Sequence, residues 1–197
     1  MLPLLESFKV RCISIILAIL IFNLINIDSV CASDKLTISI KHKPFDYFVP
    51  GKRIDVTADV SDPSGVDLVR CYFRAEEHAD YVFVSMGTTY GSAFQGVIPA
   101  PDSQTKTLQY LFLVKNKRDA VAKTQVFYIK REEDKPILPW QQIKSEDVIQ
   151  ASTELDEVPD AVMGFSDQIK VDAVESSARF FLVADTCSES SSGESVP

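Results

Sequence analysis

Several residue types on which enzymes and metalloproteins depend are scarce in this chain of 197 residues. It has two histidines, four cysteines and seven glycines. No glycines have the spacing of a phosphate-binding loop, and neither a Gly-x-Ser-x-Gly elbow nor a His-Glu-x-x-His pair occurs. Because catalysis needs several titratable groups held close together, we expect a protein that is not an enzyme and needs no cofactor.

Two regions carry the residue types of a metal site, but in an unsuitable pattern. Asp59, Asp62 and Asp67 surround a turn and could offer carboxylates to Ca²⁺, although their spacing is not that of a calcium loop. His78 lies in the charged loop 76–80, and no second cluster of His or Cys accompanies it. We therefore expect no bound metal, and we expect Asp62 to support the turn through its own backbone.

Cysteine is too rare for a disulfide framework. Cys12 and Cys31 lie in an N-terminal segment that we expect to be removed, which leaves Cys71 and Cys187. An oxidising compartment would permit a Cys71–Cys187 disulfide. The alternative is two separate thiols, Cys71 in a strand and Cys187 in a low-complexity tail, and the composition around Cys187 favours this alternative.

The N-terminus has the composition of a secretory signal. A basic start precedes an uncharged run at residues 12–27, and the small residues Val30 and Ala32 then suit a signal-peptidase site. The sequence predicts a signal peptide over 1–32, cut after Ala32, and a secreted, periplasmic or cell-envelope protein. The alternatives are a single-pass membrane anchor, for which the run is short of the ~20 apolar residues of a span, and lipidation of Cys31.

Charge is unevenly distributed in a chain whose net charge is −8. Residues 33–144 carry 16 basic and 14 acidic side chains, whereas residues 145–197 carry 2 basic and 12 acidic ones. Phosphate groups would repel the acidic C-terminal part, which argues against nucleic acid as a partner. We expect membrane association only if the N-terminal segment stays uncleaved.

Short alternating segments separated by turn residues dominate the chain between residues 33 and 131. In the clearest one, Ile54, Val56, Ala58 and Val60 occupy every second position before the turn 62–65, the pattern of a half-buried strand. Seven strands are predicted, at 36–40, 53–60, 66–73, 81–86, 94–98, 107–114 and 121–130. Their spacing indicates an all-β antiparallel sandwich of immunoglobulin size, with a barrel as the alternative.

Several motifs follow one another along the same segment. They are Pro50-Gly51, the strand 54–60, Asp62-Pro63-Ser64-Gly65-Val66, Tyr72-Phe73-Arg74, Val84-Ser85-Met86, the run 96–100 and Leu108-Gln109-Tyr110. Together they resemble the immunoglobulin-like and fibronectin type III-like modules of bacterial extracytoplasmic proteins. The resemblance implies one β-sandwich that acts as a spacer or an adhesive surface. The composition of the two ends adds an N-terminal signal helix and a partly ordered acidic C-terminal segment to the expected fold. The strand that buries a tryptophan in true immunoglobulin domains has none, and no disulfide joins the second and sixth strands, which favours a fibronectin-like or bacterial variant.

The C-terminal third differs in composition from the sandwich. The sequence predicts a linker over 132–160, a short apolar segment over 161–185 and a disordered tail over 186–197. The apolar segment includes Phe165, Phe180 and Phe181 and is too hydrophobic for a fully disordered region. It is expected either to add strands or a short helix to the sandwich, or to bind a partner.

A second candidate contact is the aromatic loop before the second strand. Phe45, Tyr47 and Phe48 crowd this loop, and an aromatic platform can stack on sugar rings or anchor a protein partner. The alternative is that these rings cover the open end of the sandwich.

The leading hypothesis is a non-catalytic secreted or envelope protein that acts as an interaction or scaffolding module, with another envelope protein as its partner. The apolar segment, 161–185, is the expected contact. Two other hypotheses stay open: a carbohydrate-binding module that uses the aromatic loop, and a membrane-anchored subunit of an envelope complex.

Overall fold

A computed structural model of the chain describes residues 38–143 and 145–180. In order along the chain the strands are β1 Ser39–Lys41, β2 Tyr47–Phe48, β3 Lys52–Ser61, β4 Val66–Ala75, β5 Val82–Ser85, β6 Gly87–Tyr90, β7 Ala93–Ile98, β8 Thr107–Asn116, β9 Val121–Lys123, β10 Phe127–Arg131, β11 Gln141–Ile143, β12 Ile149–Thr153 and β13 Ile169–Ala173. A single 3-10 turn, Ser176–Ala178, follows β13 within the described residues. The prediction of an all-β chain is confirmed.

The strands form two sheets in a sandwich-like arrangement. The first sheet has the order β1-β3-β7-β6, with β11 also paired to β3. The second has the order β13-β12-β5-β4-β8-β10-β2, with β9 also paired to β8. Most neighbours are antiparallel, but β2 is parallel to β10 and β13 is parallel to β12.

Strand β3 shows why the alternation in the sequence produces this arrangement. Ile54, Val56, Ala58 and Val60 are buried, while the residues between them face outward. The turn that follows is held by Asp62, whose carboxylate accepts the amide of Ser64 at 2.7 Å. Gly65 adopts φ +90 there, a conformation that glycine tolerates without strain. The expected role of Asp62 in its own turn is confirmed.

The main core lies between the two sheets. Its fully buried members are Phe48, Ile54, Val56, Cys71, Phe73, Ile98, Leu108, Tyr110, Phe112, Val114 and Ile129. A second apolar cluster lies on the other face of the second sheet and contains Tyr72, Phe83, Leu111 and Leu113. Strands β4 and β8 therefore bury side chains on both faces, and in β8 this explains a nearly continuous apolar run, which only Gln109 interrupts between Leu108 and Val114.

The predicted strand 121–130 is divided into β9 and β10, and both halves pair with β8. Leu113 faces Lys123, whereas Tyr110 faces Phe127, so one extra residue lies on the β9–β10 side. Thr124 provides the local compensation, because its hydroxyl accepts the amide of Phe112 at 3.0 Å. The interruption is a β-bulge within one strand path.

Strands β11 and β12 lie in the segment for which the sequence predicts a linker, 132–160. Gln141 faces Ile54 of the first sheet, and Ser152 faces Phe83 of the second. This part of the chain therefore differs from the expected connecting segment, because its backbone is paired with both sheets. Strand β13 lies in the predicted apolar segment and adds one more strand beside β12.

Candidate functional site

The aromatic loop divides between the core and the surface. Strand β2 places Tyr47 and Phe48 on opposite faces, and the Phe48 side chain is completely buried in the main core. Tyr47 is half-buried, and its hydroxyl donates a hydrogen bond to the carbonyl of Pro136 at 2.6 Å. A ligand at the surface could therefore reach Tyr47 but not Phe48.

Trp140 joins this loop from a distant part of the chain. Its ring stacks on Phe45 with centroids 4.2 Å apart and lies 6.2 Å from the ring of Tyr47. We call Phe45, Tyr47 and Trp140 the aromatic ledge; all three are partly buried. Sequence reasoning missed Trp140 as a member of this group, and the available signal was its position as the single tryptophan directly after Pro139.

His42 connects the two sheets behind the ledge. Its Nδ1 donates to the carbonyl of Thr57 on β3 at 2.7 Å, so its Nε2 accepts from the hydroxyl of Tyr110 on β8 at 2.8 Å. The rings of Phe112 and Phe127 lie 4.8 and 5.2 Å from the imidazole. Burial lowers the pKa of His42, and the carbonyl hydrogen bond opposes that shift. Because burial disfavours the charged imidazolium, His42 bridges the two sheets as a neutral ring with both nitrogens hydrogen-bonded.

Arg53 holds the chain in place just before β12 and just before β13. The guanidinium forms a buried ion pair with Asp167 at 2.9 Å and donates to the hydroxyl of Ser145 at 2.6 Å and to the carbonyl of Asp147 at 2.6 Å. The other carboxylate oxygen of Asp167 accepts the amide of Ala100 at 2.6 Å. These contacts lie just before β12 and just before β13, so Arg53 anchors the starts of both strands.

Arg70 anchors the ends of the same two strands. It donates to the carboxylate of Glu154 at 2.9 Å, directly after β12, and to the carbonyl of Ala178 at 2.7 Å, after β13. Glu154 also accepts the hydroxyl of Tyr72 and the amide of Phe180. Burial, and next the hydrogen bond to Glu154, raise the pKa of Tyr72, which keeps the phenol a donor.

Two of the three aromatic residues of the apolar segment, Phe165 and Phe180, pack against the sandwich. Phe165 meets the ring of Phe73 edge-on at 5.3 Å. Phe180 lies beneath two cations, with the guanidinium carbon of Arg70 at 5.2 Å and the Nζ of Lys115 at 5.3 Å from its centroid. Phe181 lies outside the described residues.

Cys71 is completely buried in the main core. Burial raises the pKa of its thiol far above the usual range, so the sulfur is protonated and unreactive. Cys187 lies outside the described residues, so the expectation of two separate thiols and the possible Cys71–Cys187 disulfide both stay predictions.

One cavity brings together two segments that the sequence analysis treated separately. It has a volume of about 130 Å³ and is lined by the charged loop around His78 and Asp80 and by Pro159 and Met163 from the C-terminal segment. Arg74 lines it too, but its guanidinium is committed to the carbonyl of Ala79 and to Gln109.

The acidic residues around the turn at 62–65 contact different partners and do not form one site. Asp62 holds the turn, and Asp67 pairs with Lys115 at 3.1 Å. Over residues 38–143 and 145–180, no three side chains of His, Cys, Asp or Glu gather as a metal ion would require. In the same ranges no helix has the length and apolar character of a membrane span.

Comparisons with known proteins add little to this geometry. No protein-family model matches the chain, and no curated protein matches it. One solved structure to which it is similar is the cycloalternan-degrading enzyme from Trueperella pyogenes in complex with isomaltose, with 15% sequence identity and a TM-score of 0.39. That alignment covers 50% of this chain and 15% of the enzyme chain.

Proposed function

We propose that the sandwich is an immunoglobulin-like or fibronectin type III-like module. The strand order supports this assignment. The order β1-β3-β7-β6 corresponds to the A-B-E-D sheet of immunoglobulin constant-type domains, and the adjacent β4, β8 and β10 correspond to C, F and G. On this assignment β5 follows C as a C′ strand, and β12 and β13 extend the sheet beyond it.

The function that this geometry supports best is a non-catalytic interaction or scaffolding module of the cell envelope. The observation that carries the proposal is that the buried ionisable side chains serve the fold. Arg53 pairs with Asp167, Arg70 pairs with Glu154, and His42 joins the two sheets. Catalysis would require ionisable side chains that face a substrate, whereas these side chains hold strands together.

The proposed contact with a partner is the part of the C-terminal segment that stays outside the sandwich. Met163 is 59% exposed and borders the cavity beside His78. An exposed methionine next to a concave site suits an apolar side chain of a protein partner, because its thioether adapts to irregular surfaces. The partner would be another envelope protein.

A capture experiment from an envelope extract of the host tests this proposal. The baits are the wild-type protein, Met163→Glu and Ile137→Glu, the last a matched control because Ile137 is 53% exposed in a different connection. We expect one envelope protein to be held by the wild type and by Ile137→Glu and to be lost from Met163→Glu. Equal capture by all three baits, or none, would remove the proposed contact.

A carbohydrate-binding module is the second candidate, because the fold adds Trp140 to Phe45 and Tyr47. Three partly exposed rings in one ledge are suited to stacking on sugars. Affinity electrophoresis in gels that contain envelope polysaccharides tests it, with Tyr47→Ala compared with Tyr128→Ala, an exposed aromatic on β10. Retardation that only Tyr47→Ala abolishes would favour this candidate over the protein partner.

The proposed location, secreted, periplasmic or in the envelope, depends on residues 1–32, which lie outside the described residues. The alternative is a membrane-anchored subunit of an envelope complex. Fractionation followed by a high-salt wash separates the two. A mature protein that begins at Ser33 and stays in the soluble fraction supports secretion, and a full-length protein that resists the wash supports the anchor.

A further inference from the structure

Strand β13 is the outermost strand of the second sheet, and its sequence is self-complementary. It reads Ile169-Lys170-Val171-Asp172-Ala173, with opposite charges placed symmetrically about Val171. The Lys170 and Asp172 side chains form an ion pair with each other at 3.4 Å and are 63% and 60% exposed. Within the described part of the chain, β13 pairs with β12 on one side, and its other side ends the sheet.

The hydrogen bonds to β12 determine which backbone groups of β13 face outward. The amide of Ile149 donates to the carbonyl of Gln168, and the amide of Val174 donates to the carbonyl of Thr153. In a parallel pair the bonding residues of one strand alternate, so those of β13 are the even-numbered ones. The amides and carbonyls of Ile169, Val171 and Ala173 therefore face away from β12.

We propose that the exposed edge of β13 binds the same edge of a second copy of this chain, antiparallel and with Val171 on the two-fold axis. In this register Val171 faces Val171 of the other copy, and the two residues exchange both backbone hydrogen bonds. Lys170 faces Asp172 of the other copy at a position without backbone hydrogen bonds, where opposing side chains come closest. Two symmetric ion pairs between the copies then flank the axis, beside the Lys170–Asp172 pair within each strand.

The charges select this register over its neighbours. A shift by two residues in one direction places Lys170 opposite Lys170, and a shift in the other places Asp172 opposite Asp172. Like charges directly opposite each other destabilise an antiparallel pair. A charged edge strand normally prevents indiscriminate pairing, and this arrangement favours one self-pairing while it opposes the two adjacent registers.

The occupant is a second copy because β13 is complementary in charge to itself when two copies pair antiparallel about Val171. The inference does not depend on the proposed envelope partner, which would bind elsewhere, at Met163. A short edge-to-edge contact buries little surface, so the dimer is expected to be concentration-dependent. Continuity of the sheet across the axis would join two seven-stranded paths.

Charge exchange at the two exposed positions tests the proposal on the purified protein. Lys170→Asp and Asp172→Lys each place like charges opposite each other, and the double variant Lys170→Asp/Asp172→Lys restores opposite charges in reversed order. Lys135→Asp is the control, because it makes the same charge change at an exposed position outside β13. Sedimentation velocity at physiological salt measures the dimer, and circular dichroism checks that each variant is folded.

We expect the wild type, the double variant and Lys135→Asp to dimerise. Each single variant should dimerise about tenfold more weakly or not at all, since two opposed pairs change sign. An equimolar mixture of the two single variants should recover the dimer as a heterodimer, because Asp then faces Lys at both pairs. A monomeric wild type at millimolar concentration, or single variants that dimerise as well as the wild type, would overturn the proposal.

Discussion

Arg70 illustrates how much one buried side chain decides in this protein. It pairs with Glu154, caps the carbonyl of Ala178 and lies over the ring of Phe83 at 4.2 Å. A buried ion pair is not by itself strongly stabilising, but the loss of one member leaves an unpaired charge in the interior. The arginine thus makes the sandwich and the C-terminal segment interdependent.

Replacement of Arg70 tests this role. We expect Arg70→Met to lower the free energy of unfolding by about 3–5 kcal/mol, because Glu154 then stays buried without its cation. Asp156→Asn is the matched control, since Asp156 pairs with Arg179 at 2.5 Å but is 94% exposed, and it should cost about 1 kcal/mol or less. Urea unfolding measures both, and similar losses for the two variants would contradict the role of Arg70.

His42 should make stability depend on pH. Because burial lowers its pKa in the folded state below the ordinary value of 6.5, the unfolded chain binds the proton more readily. Its contribution is therefore complete above pH 6.5 and is lost as the pH falls from there toward the lowered folded pKa.

The pH dependence can be isolated with His42→Gln, which cannot become charged. We expect the difference in unfolding free energy between wild type and variant to favour the wild type more at pH 7.5 than at pH 5.5 (about one unit either side of the ordinary pKa of histidine). Thermal or urea unfolding at both values measures it, and other titrating groups cancel in the difference. A constant difference would show that His42 keeps its ordinary pKa in the fold.

Cys71 should be inert in the native protein. Its thiol is buried and protonated, so iodoacetamide should leave it unmodified until the protein is denatured. Peptide mass spectrometry reads the Cys71 and Cys187 peptides separately. Modification of both in denaturant without reductant indicates two separate thiols, whereas modification only after reduction indicates the disulfide.

At the scale of elements, the unexpected feature is the pair β12 and β13. Each strand has only five residues and lies in an acidic part of the chain, and neither has the long alternation of apolar and polar residues found in β3. They form strands because Arg53 holds both starts, Arg70 holds both ends and the edge of β5 offers a backbone to pair with. Tertiary contacts override the weak local preference here.

The loop that leads into β13 depends on Gly164. It adopts φ +85, and a Cβ there would lie 2.6 Å from the Cβ of Ala75 and 2.8 Å from the hydroxyl of Thr105. We expect Gly164→Ala to cost about 2–5 kcal/mol, because left-handed strain and overpacking add. Gly51→Ala is the control, with φ +70 but no atom within 4 Å, and it should cost only about 1–2 kcal/mol. Equal losses in urea unfolding would mean that the loop moves aside.

At the scale of the whole molecule, the C-terminal segment is part of the folded unit. Ile149, Val162, Phe165, Ile169 and Val171 pack against the main core, and Ala151 belongs to it. Removal of this segment would expose that apolar surface and leave both buried arginines without carboxylate partners.

A chain that ends at residue 144 should therefore fail to fold cooperatively. The lost burial and the two unpaired arginines together approach the ~5–15 kcal/mol that stabilises a typical domain. Differential scanning calorimetry and limited proteolysis compare it with a chain that ends at residue 185. A sharp transition of the shorter chain, within a few degrees of the longer one, would show that the sandwich is independent.

Local patterns in the amino-acid sequence were sufficient to predict the all-β class and the positions of β3, β4, β5, β7 and β8. Alternation and turn chemistry are local properties, so the pattern from Ile54 to Val60 and the turn at Asp62 can be read without the rest of the fold. The two-faced burial of β8 was also visible in its apolar run.

The roles of the other residues depend on contacts between distant parts of the chain. The ledge of Phe45, Tyr47 and Trp140, the His42 bridge and the ion pairs of Arg53 and Arg70 join residues that are far apart in the chain. Long-range contacts leave no periodic signal, because each depends on where two sheets and their edges meet in space. For that reason Phe48, read as a surface aromatic, proved to be a core residue, and an acidic segment read as a linker became part of a sheet.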